Sequence, residues 1–229
     1  MDLYGQQDKS IPQKIIIISL EVVFLFISYW ILFQDSSDSL LYKIGIGSTI
    51  TPIIRRIIIF LFSVVVFFRM TFMMVYFLKR KIPWEESISV PFAFAVYYIG
   101  FALLVLKSPE AIGYPDVLGI IVFVAGSFVN TFSELQRHQW KKDPANKGRL
   151  YTHGLFRYSM HINYFGDILW VIGYAVVTRN VYAWLIPAGL FLFFVFYNIP
   201  KLDQHLSGKY GTAFKQYRDK TKKFIPFIY

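Results

Sequence analysis

The chain contains no cysteine. Disulfides, thiolate metal sites, iron–sulfur clusters and a cysteine nucleophile are therefore excluded. Charge is also scarce: 17% of the 229 residues are charged, against about 25% in ordinary globular chains. The four histidines, His138, His153, His161 and His205, are too few for a multi-histidine di-iron site, and none forms an HExxH pair. No metal site is expected. Gly45-Ile46-Gly47 lacks the third glycine and the βαβ setting of a dinucleotide fingerprint, and no P-loop is present. No spacing points to a Ser-His-Asp set. Internal repeats and low-complexity linkers are missing too.

Apolar residues are abundant instead: 55% are hydrophobic and 20% aromatic. A soluble core of this size would leave large apolar patches exposed. A bilayer removes that problem, and backbone groups in hydrocarbon must pair within their own segment. The expectation is an all-α, polytopic transmembrane bundle of about six spans. They run about Lys14–Phe33, Ile53–Leu78, Ser87–Leu106, Val117–Gln136, Ile162–Val177 and Tyr182–Ile199. The first is too long for a signal peptide and reads as a retained anchor. Six spans put both termini on one side. Eighteen of the 24 Lys and Arg residues then fall on that side, five on the other and one, Arg69, inside a span. The bias predicts cytosolic termini, in a bacterial inner membrane or the endoplasmic reticulum. The net charge of +10 is assigned to topology and anionic headgroups, not to nucleic acid.

Charges within spans cost a few kcal/mol each at mid-membrane, so each calls for a partner or a task. Glu21 lies in the first span and Arg69 in the second; either they pair structurally, or Glu21 is a proton donor in a polar cavity. Tyr97 and Tyr98 in the third span are candidates for the same catalytic role, or simple packing residues. A second cluster surrounds the loop after the fourth span. Asn130 and Glu134 are four apart and share a helix face, as do Asn163 and Asp167, and Lys201 and His205. Lys141 lies close to the first of these lines and His161 just precedes the second. Amides, acids and cations at three helix ends suit phosphate, ring edges and sugar hydroxyls; singly, each pair also reads as snorkelling at a helix end.

From about Gly126 to Tyr229 the chain resembles the membrane superfamily of steroid 5-alpha-reductases, sterol reductases and isoprenylcysteine carboxyl methyltransferases. The likeness is carried by Gly126-x-x-x-Asn130-x-x-Ser133-Glu134, Gly154-Leu155-Phe156-x-Tyr158, Asn163-Tyr164-Phe165-Gly166-Asp167-Ile168, Trp170-x-x-Gly173-Tyr174-Ala175 and Lys222-Lys223-Phe224-Ile225-Pro226-Phe227. The stretch Lys142 to Arg149 looks like the bacterial-type branch, and Arg80 to Glu86 is only loosely similar. The resemblance implies a cytosolic-side NADPH site at Asn130, Glu134, Asn163, Asp167, Lys201 and His205, with Lys141 at a further expected position; His161, just before Asn163, joins the cofactor-binding candidates by its place. Here Glu134 stands for aspartate, Asp167 for glutamate, and Lys141 and Lys201 for arginines, and lysine lacks the planar bidentate fork.

The methyltransferase branch carries an Arg-His-Pro-x-Tyr string; this chain has Met160-His161-Ile162-Asn163-Tyr164. Its tail pattern survives as Asp203-x-x-Leu206-x-x-x-Tyr210-Gly211. The expected activity is an NADPH-dependent reductase of a carbon–carbon double bond in a sterol-like, isoprenoid or lipid enone, with membrane lipids as neighbours. Residues 1–116 would form the substrate-side half and 117–229 the cofactor-binding half of a single integral membrane domain. An S-adenosylmethionine-dependent methyltransferase and a non-catalytic membrane scaffold are the alternatives. Neither the substrate nor the oligomeric state is legible.

Overall fold

A computed structural model describes residues 8–34 and 50–229; Lys43 and the Gly45–Gly47 stretch lie outside them. The described residues are helical, with no sheet among them. Helix α1 is Ile11–Phe33, α2 Ile53–Tyr76, α3 Trp84–Val105, α4 Tyr114–Lys142, α5 Ile162–Thr178 and α6 Val181–Tyr210. A short α7, Thr212–Lys220, follows. All but α5 and α7 are long and apolar enough to cross a membrane. With the shorter apolar α5 they meet the expectation of about six spans, and the chain is an integral, multi-pass helical membrane protein.

The helix boundaries follow local chemistry. Pro52 and Pro83 immediately precede α2 and α3, where a missing N–H costs nothing. Gly211, at φ 50, separates α6 from α7, a backbone region that glycine enters without strain. Two helices are longer than their apolar runs. Helix α4 continues past Gln136 to Lys142, and α6 past Ile199 to Tyr210. Polar side chains end an apolar stretch without ending a helix, and Lys141 and Lys142 suit the negative C-terminal end of α4. Its 29 residues span about 43 Å at ~1.5 Å per residue, more than the ~30 Å hydrocarbon layer.

Packing groups the chain into two compact units that do not follow a single cut in the sequence. One comprises residues up to Phe123 with Val171–Ile186; the other comprises Val124–Trp170 with Pro187–Tyr229. In the first, Phe62 stacks on Phe123 at 3.8 Å and Phe101 on Tyr174 at 4.7 Å. Its outward residues include Phe26 and Phe68, 68% and 66% exposed, as lipid contact requires. The second unit has two small clusters. Tyr151, Phe156 and Ile162 pack with Trp140 and Phe165; Met160, Phe214 and Tyr217 pack with Leu150, Leu206 and Tyr210.

In the second unit α4 and α5 touch backbone to backbone. A Cβ on Gly166 would lie 2.5 Å from the Asn130 nitrogen. Small residues permit such approach where no hydrophobic drive exists between helices. Gly166→Ala should therefore push Asn130 away from Asn163 at a cost of about 1–3 kcal/mol. It should lower the thermal midpoint of the detergent-purified chain. An unchanged midpoint would show that the helices are free to part.

The first unit also holds a buried ionic knot. Arg55, fully buried, donates from Nε to Asp116 Oδ1 at 2.9 Å and from its terminal nitrogens to the carbonyls of Ser108, Glu110 and Ala111. Arg179 donates to Asp116 Oδ2 at 2.5 Å, and the Gly113 amide to the same oxygen at 2.9 Å. These bonds tie the 106–116 loop to the start of α2 and the end of α5.

Candidate functional site

The second unit gathers several of the expected cofactor residues. Asn130, buried on α4, donates from Nδ2 to the Asn163 carbonyl at 3.1 Å. Asn163, in the first turn of α5, donates from Nδ2 to Glu134 Oε1 at 2.9 Å. The other Glu134 oxygen takes Arg137 in a close ion pair one turn along α4. The i, i+4 spacing of Asn130 and Glu134 thus straddles Asn163, and Gly166 lets the helices approach closely enough for this. Beside the network lies a narrow cleft of about 60 Å³, lined by Arg137, Lys141, Tyr151, His161, Asn163 and Tyr217 among others.

His161 is fully buried and stacks on Tyr164 with ring centroids 5.7 Å apart. Its Nε2 lies 2.8 Å from Asp203 Oδ1, and Lys223 Nζ approaches the second Asp203 oxygen at 3.5 Å. Its Nδ1 is buried with no hydrogen-bond partner among the described residues, so it presents an unmet polar atom in the cleft wall. Asp203 entered the sequence reading only through the methyltransferase-like tail pattern. Burial pushes the phenols of Tyr151 and Tyr217 above their ordinary range, so both stay neutral at physiological pH. Tyr217 donates to the Phe156 carbonyl at 2.5 Å. Tyr217 entered the sequence reading only through the end of the methyltransferase-like tail pattern, and nothing local marks the loop residue Tyr151 as a wall of the cleft.

Five of the eight expected cofactor residues lie outside the cleft lining: Asn130 and Glu134, in the network beside it, and Asp167, Lys201 and His205. Asp167 accepts the Trp170 indole N–H at 2.8 Å. Lys201 is exposed; its ammonium donates to the Tyr197 hydroxyl at 2.9 Å and sits 4.5 Å over that ring. His205 is half-buried on α6.

The catalytic candidates belong to the first unit. Glu21 and Tyr98 are buried, and the Tyr98 hydroxyl donates to Glu21 Oε2 at 3.3 Å. Tyr97 is buried alongside, its ring 5.7 Å from Phe94. Both tyrosines sit on a π-turn, Val96–Gly100, a local irregularity that recurs at functional sites. Arg69 is near enough to Tyr98 and Tyr174 to act on both electrostatically. Tyr174 donates to Ser63 Oγ at 3.1 Å. Neither Ser63 nor Tyr174 is among the expected site residues: a serine in an apolar span carries no distinguishing signal, and Tyr174 enters only through the Trp170-x-x-Gly173-Tyr174-Ala175 likeness. The described residues contain no group of acids and histidines able to hold a metal ion.

The helical fold defines an integral, multi-pass membrane protein with polar sites among its apolar helices. The chain belongs to DUF1295, a family described as a protein of unknown function, whose model matches residues 86–221. Human 3-oxo-5-alpha-steroid 4-dehydrogenase 2 is 32% identical over 119 residues, covering 51% of this chain and 45% of that protein. The pig protein of the same name is 30% identical over 133 residues, covering 57% and 50%. A probable O-methyltransferase, ustE, of Ustilaginoidea virens is 34% identical over 89 residues, covering 38% of this chain and 31% of that protein. The chain spans about half the length of the steroid dehydrogenases it matches. The solved structure of the eukaryotic intramembrane Ras methyltransferase ICMT superposes with a TM-score of 0.45 at 14% identity, covering 95% of this chain and 98% of that one.

Proposed function

We propose that the protein is a membrane-embedded, NADPH-dependent reductase of a conjugated carbon–carbon double bond in a hydrophobic, sterol-like or isoprenoid substrate. The observation that carries this reading is the bonded Asn130–Asn163–Glu134 network beside a cationic cleft. The steroid dehydrogenase relatives support it. The donor set fits such a coenzyme: Arg137 and Lys141 offer positive charge to phosphate, and the unmet His161 nitrogen offers a bond to an amide or hydroxyl. Asn130, Asn163 and Glu134 would hold the wall rigid, with residues 117–229 supplying the cofactor half. Asp167, Lys201 and His205 enter the proposal by resemblance alone.

When bound, NADPH supplies hydride to an electron-poor carbon. The chain must then supply a proton and an electrophile for the carbonyl oxygen. The buried Glu21–Tyr98 pair, with Tyr97 beside it, is proposed for that task. Tyr98→Phe and Glu21→Gln should each lower turnover by about 100-fold or more while NADPH still binds. Loss of NADPH binding together with turnover would remove them from the chemistry. Both termini are proposed to be cytosolic; a carboxy-terminal reporter active only outside the cytosol would contradict this.

A methyltransferase is the second reading. The His161–Asp203 pair, a buried imidazole on a half-buried carboxylate and a general base in form, and the O-methyltransferase relative favour it. Thermal-shift titration of the purified full chain separates the two, because a ligand that binds only the folded state raises its stability. Stabilisation by NADPH is expected. Stabilisation by S-adenosylmethionine alone would overturn the reductase, and stabilisation by neither would point to a scaffold.

A further inference from the structure

Where α1 begins and α2 ends, the first unit holds a pocket of about 610 Å³. That volume lies in the usual range of small-molecule sites. Its wall carries three lysines, Lys9, Lys14 and Lys79, and a single acid, Asp8. The lysines come from three segments: the approach to α1, its first turn, and the residues just past α2. None of the three forms an ion pair among the described residues. Lys14 donates from Nζ to the Leu78 carbonyl at 3.0 Å, which uses one of the three donors of an ammonium. Asp8 is engaged with nearby backbone. Its Oδ1 accepts the Ser10 amide at 3.2 Å, and its own amide donates to the Lys79 carbonyl at 3.2 Å. The Ile82 amide in turn donates to Ser10 Oγ at 2.9 Å. The walls are thus tied together, and positive charge around the void outweighs negative, which favours an anion between the lysines.

The rest of the lining is apolar: Ile11, Val75, Tyr76 and Leu78. Both helices are long and apolar enough to cross a membrane, so the place where one starts and the other stops lies at headgroup depth. Ile15, one turn after Ile11, and Phe72, one turn before Tyr76, are exposed. Phe72 stacks on Tyr76 with ring centroids 5.4 Å apart. The apolar half of the wall therefore continues along both helices toward the hydrocarbon.

We infer that this pocket binds one anionic glycerophospholipid, its phosphate among Lys9, Lys14 and Lys79 and an acyl chain along Ile11, Ile15, Phe72 and Val75. A water-soluble phosphate would leave the apolar half of the lining unfilled. A zwitterionic lipid would bring its own cation against the lysines. The bound lipid would fasten the start of α1 to the end of α2, whichever coenzyme the chain uses.

The full chain, purified in a neutral detergent, is titrated with dioleoylphosphatidylglycerol, dioleoylphosphatidylcholine and glycerol 3-phosphate. Bound lipid is read by native mass spectrometry and stability by thermal midpoint. A single tightly bound phosphatidylglycerol that raises the midpoint is expected, with phosphatidylcholine at least about fivefold weaker. Lys9→Gln and Lys79→Gln change exposed side chains, so folding is preserved. Each should weaken phosphatidylglycerol binding about fivefold, and the double variant about 25-fold. Lys215→Gln, an exposed cation outside the pocket, should leave it unchanged. Wild-type affinity in the double variant overturns the proposal, and so does equal binding of the two lipids. An equal loss in Lys215→Gln would mark diffuse attraction to a basic surface and overturn it too. Glycerol 3-phosphate that displaces the lipid at comparable concentration would assign the pocket to a soluble phosphate ester and overturn the lipid.

Discussion

Asn163→Ala should weaken NADPH binding by about 10- to 100-fold. The Asn163 backbone carbonyl accepts from Asn130 and its side-chain amide donates to Glu134, so the substitution keeps the first bond and removes the second. A hydrogen bond to a charged group contributes about 1.5–3 kcal/mol. Losing it also frees Glu134, whose side chain is 12% exposed and otherwise held by Arg137. Asn163→Asp should be worse than alanine, because it sets a second carboxylate against Glu134 in place of the donor. The measurement is coenzyme affinity by thermal shift or calorimetry, with near-native unfolding of the unliganded variant as the control. Wild-type affinity in both variants would remove the network from the coenzyme site.

Asp116→Ala should be the most destabilising single change in the described residues outside the site. Arg55 is fully buried and Asp116 is 1% exposed, and removing one member of a buried pair leaves an uncompensated charge, at about 3–5 kcal/mol. Arg179 would lose its 2.5 Å partner at the same time. Arg55→Lys should not rescue the fold, since an ammonium cannot reach Asp116 and three carbonyls in one planar fork. Glu110→Gln is the control: its carboxylate is 51% exposed and 3.8 Å from Arg55, so little stability should be lost. Equal thermal midpoints for Asp116→Ala and Glu110→Gln would show the knot to be incidental.

The basis of both predictions was unequally legible. Asn130, Glu134 and Asn163 were readable because an i, i+4 pair and a neighbouring polar helix end announce a face even before folding. The ionic knot is not: Arg55 and Asp116 lie near the starts of two apolar runs and Arg179 follows a third, and no spacing in the sequence links them. Only their convergence from positions 55, 116 and 179 makes them one structure. Lys201 and His205 illustrate the reverse, since correct spacing along α6 did not bring them into the cleft lining.

What the sequence settles alone is what depends on local pattern and solvent. Composition demands a bilayer, apolar runs demand helices, and small residues at 126 and 166 permit two of those helices to touch. What only the tertiary structure decides is where helices end, because backbone hydrogen bonding carries α4 and α6 through polar residues that the hydrophobic pattern treats as a stop. It also decides which distant groups meet, as with Glu21 and Tyr98 or His161 and Asp203. Pairing across long chain separations is a property of packing, and no periodicity along the chain encodes it.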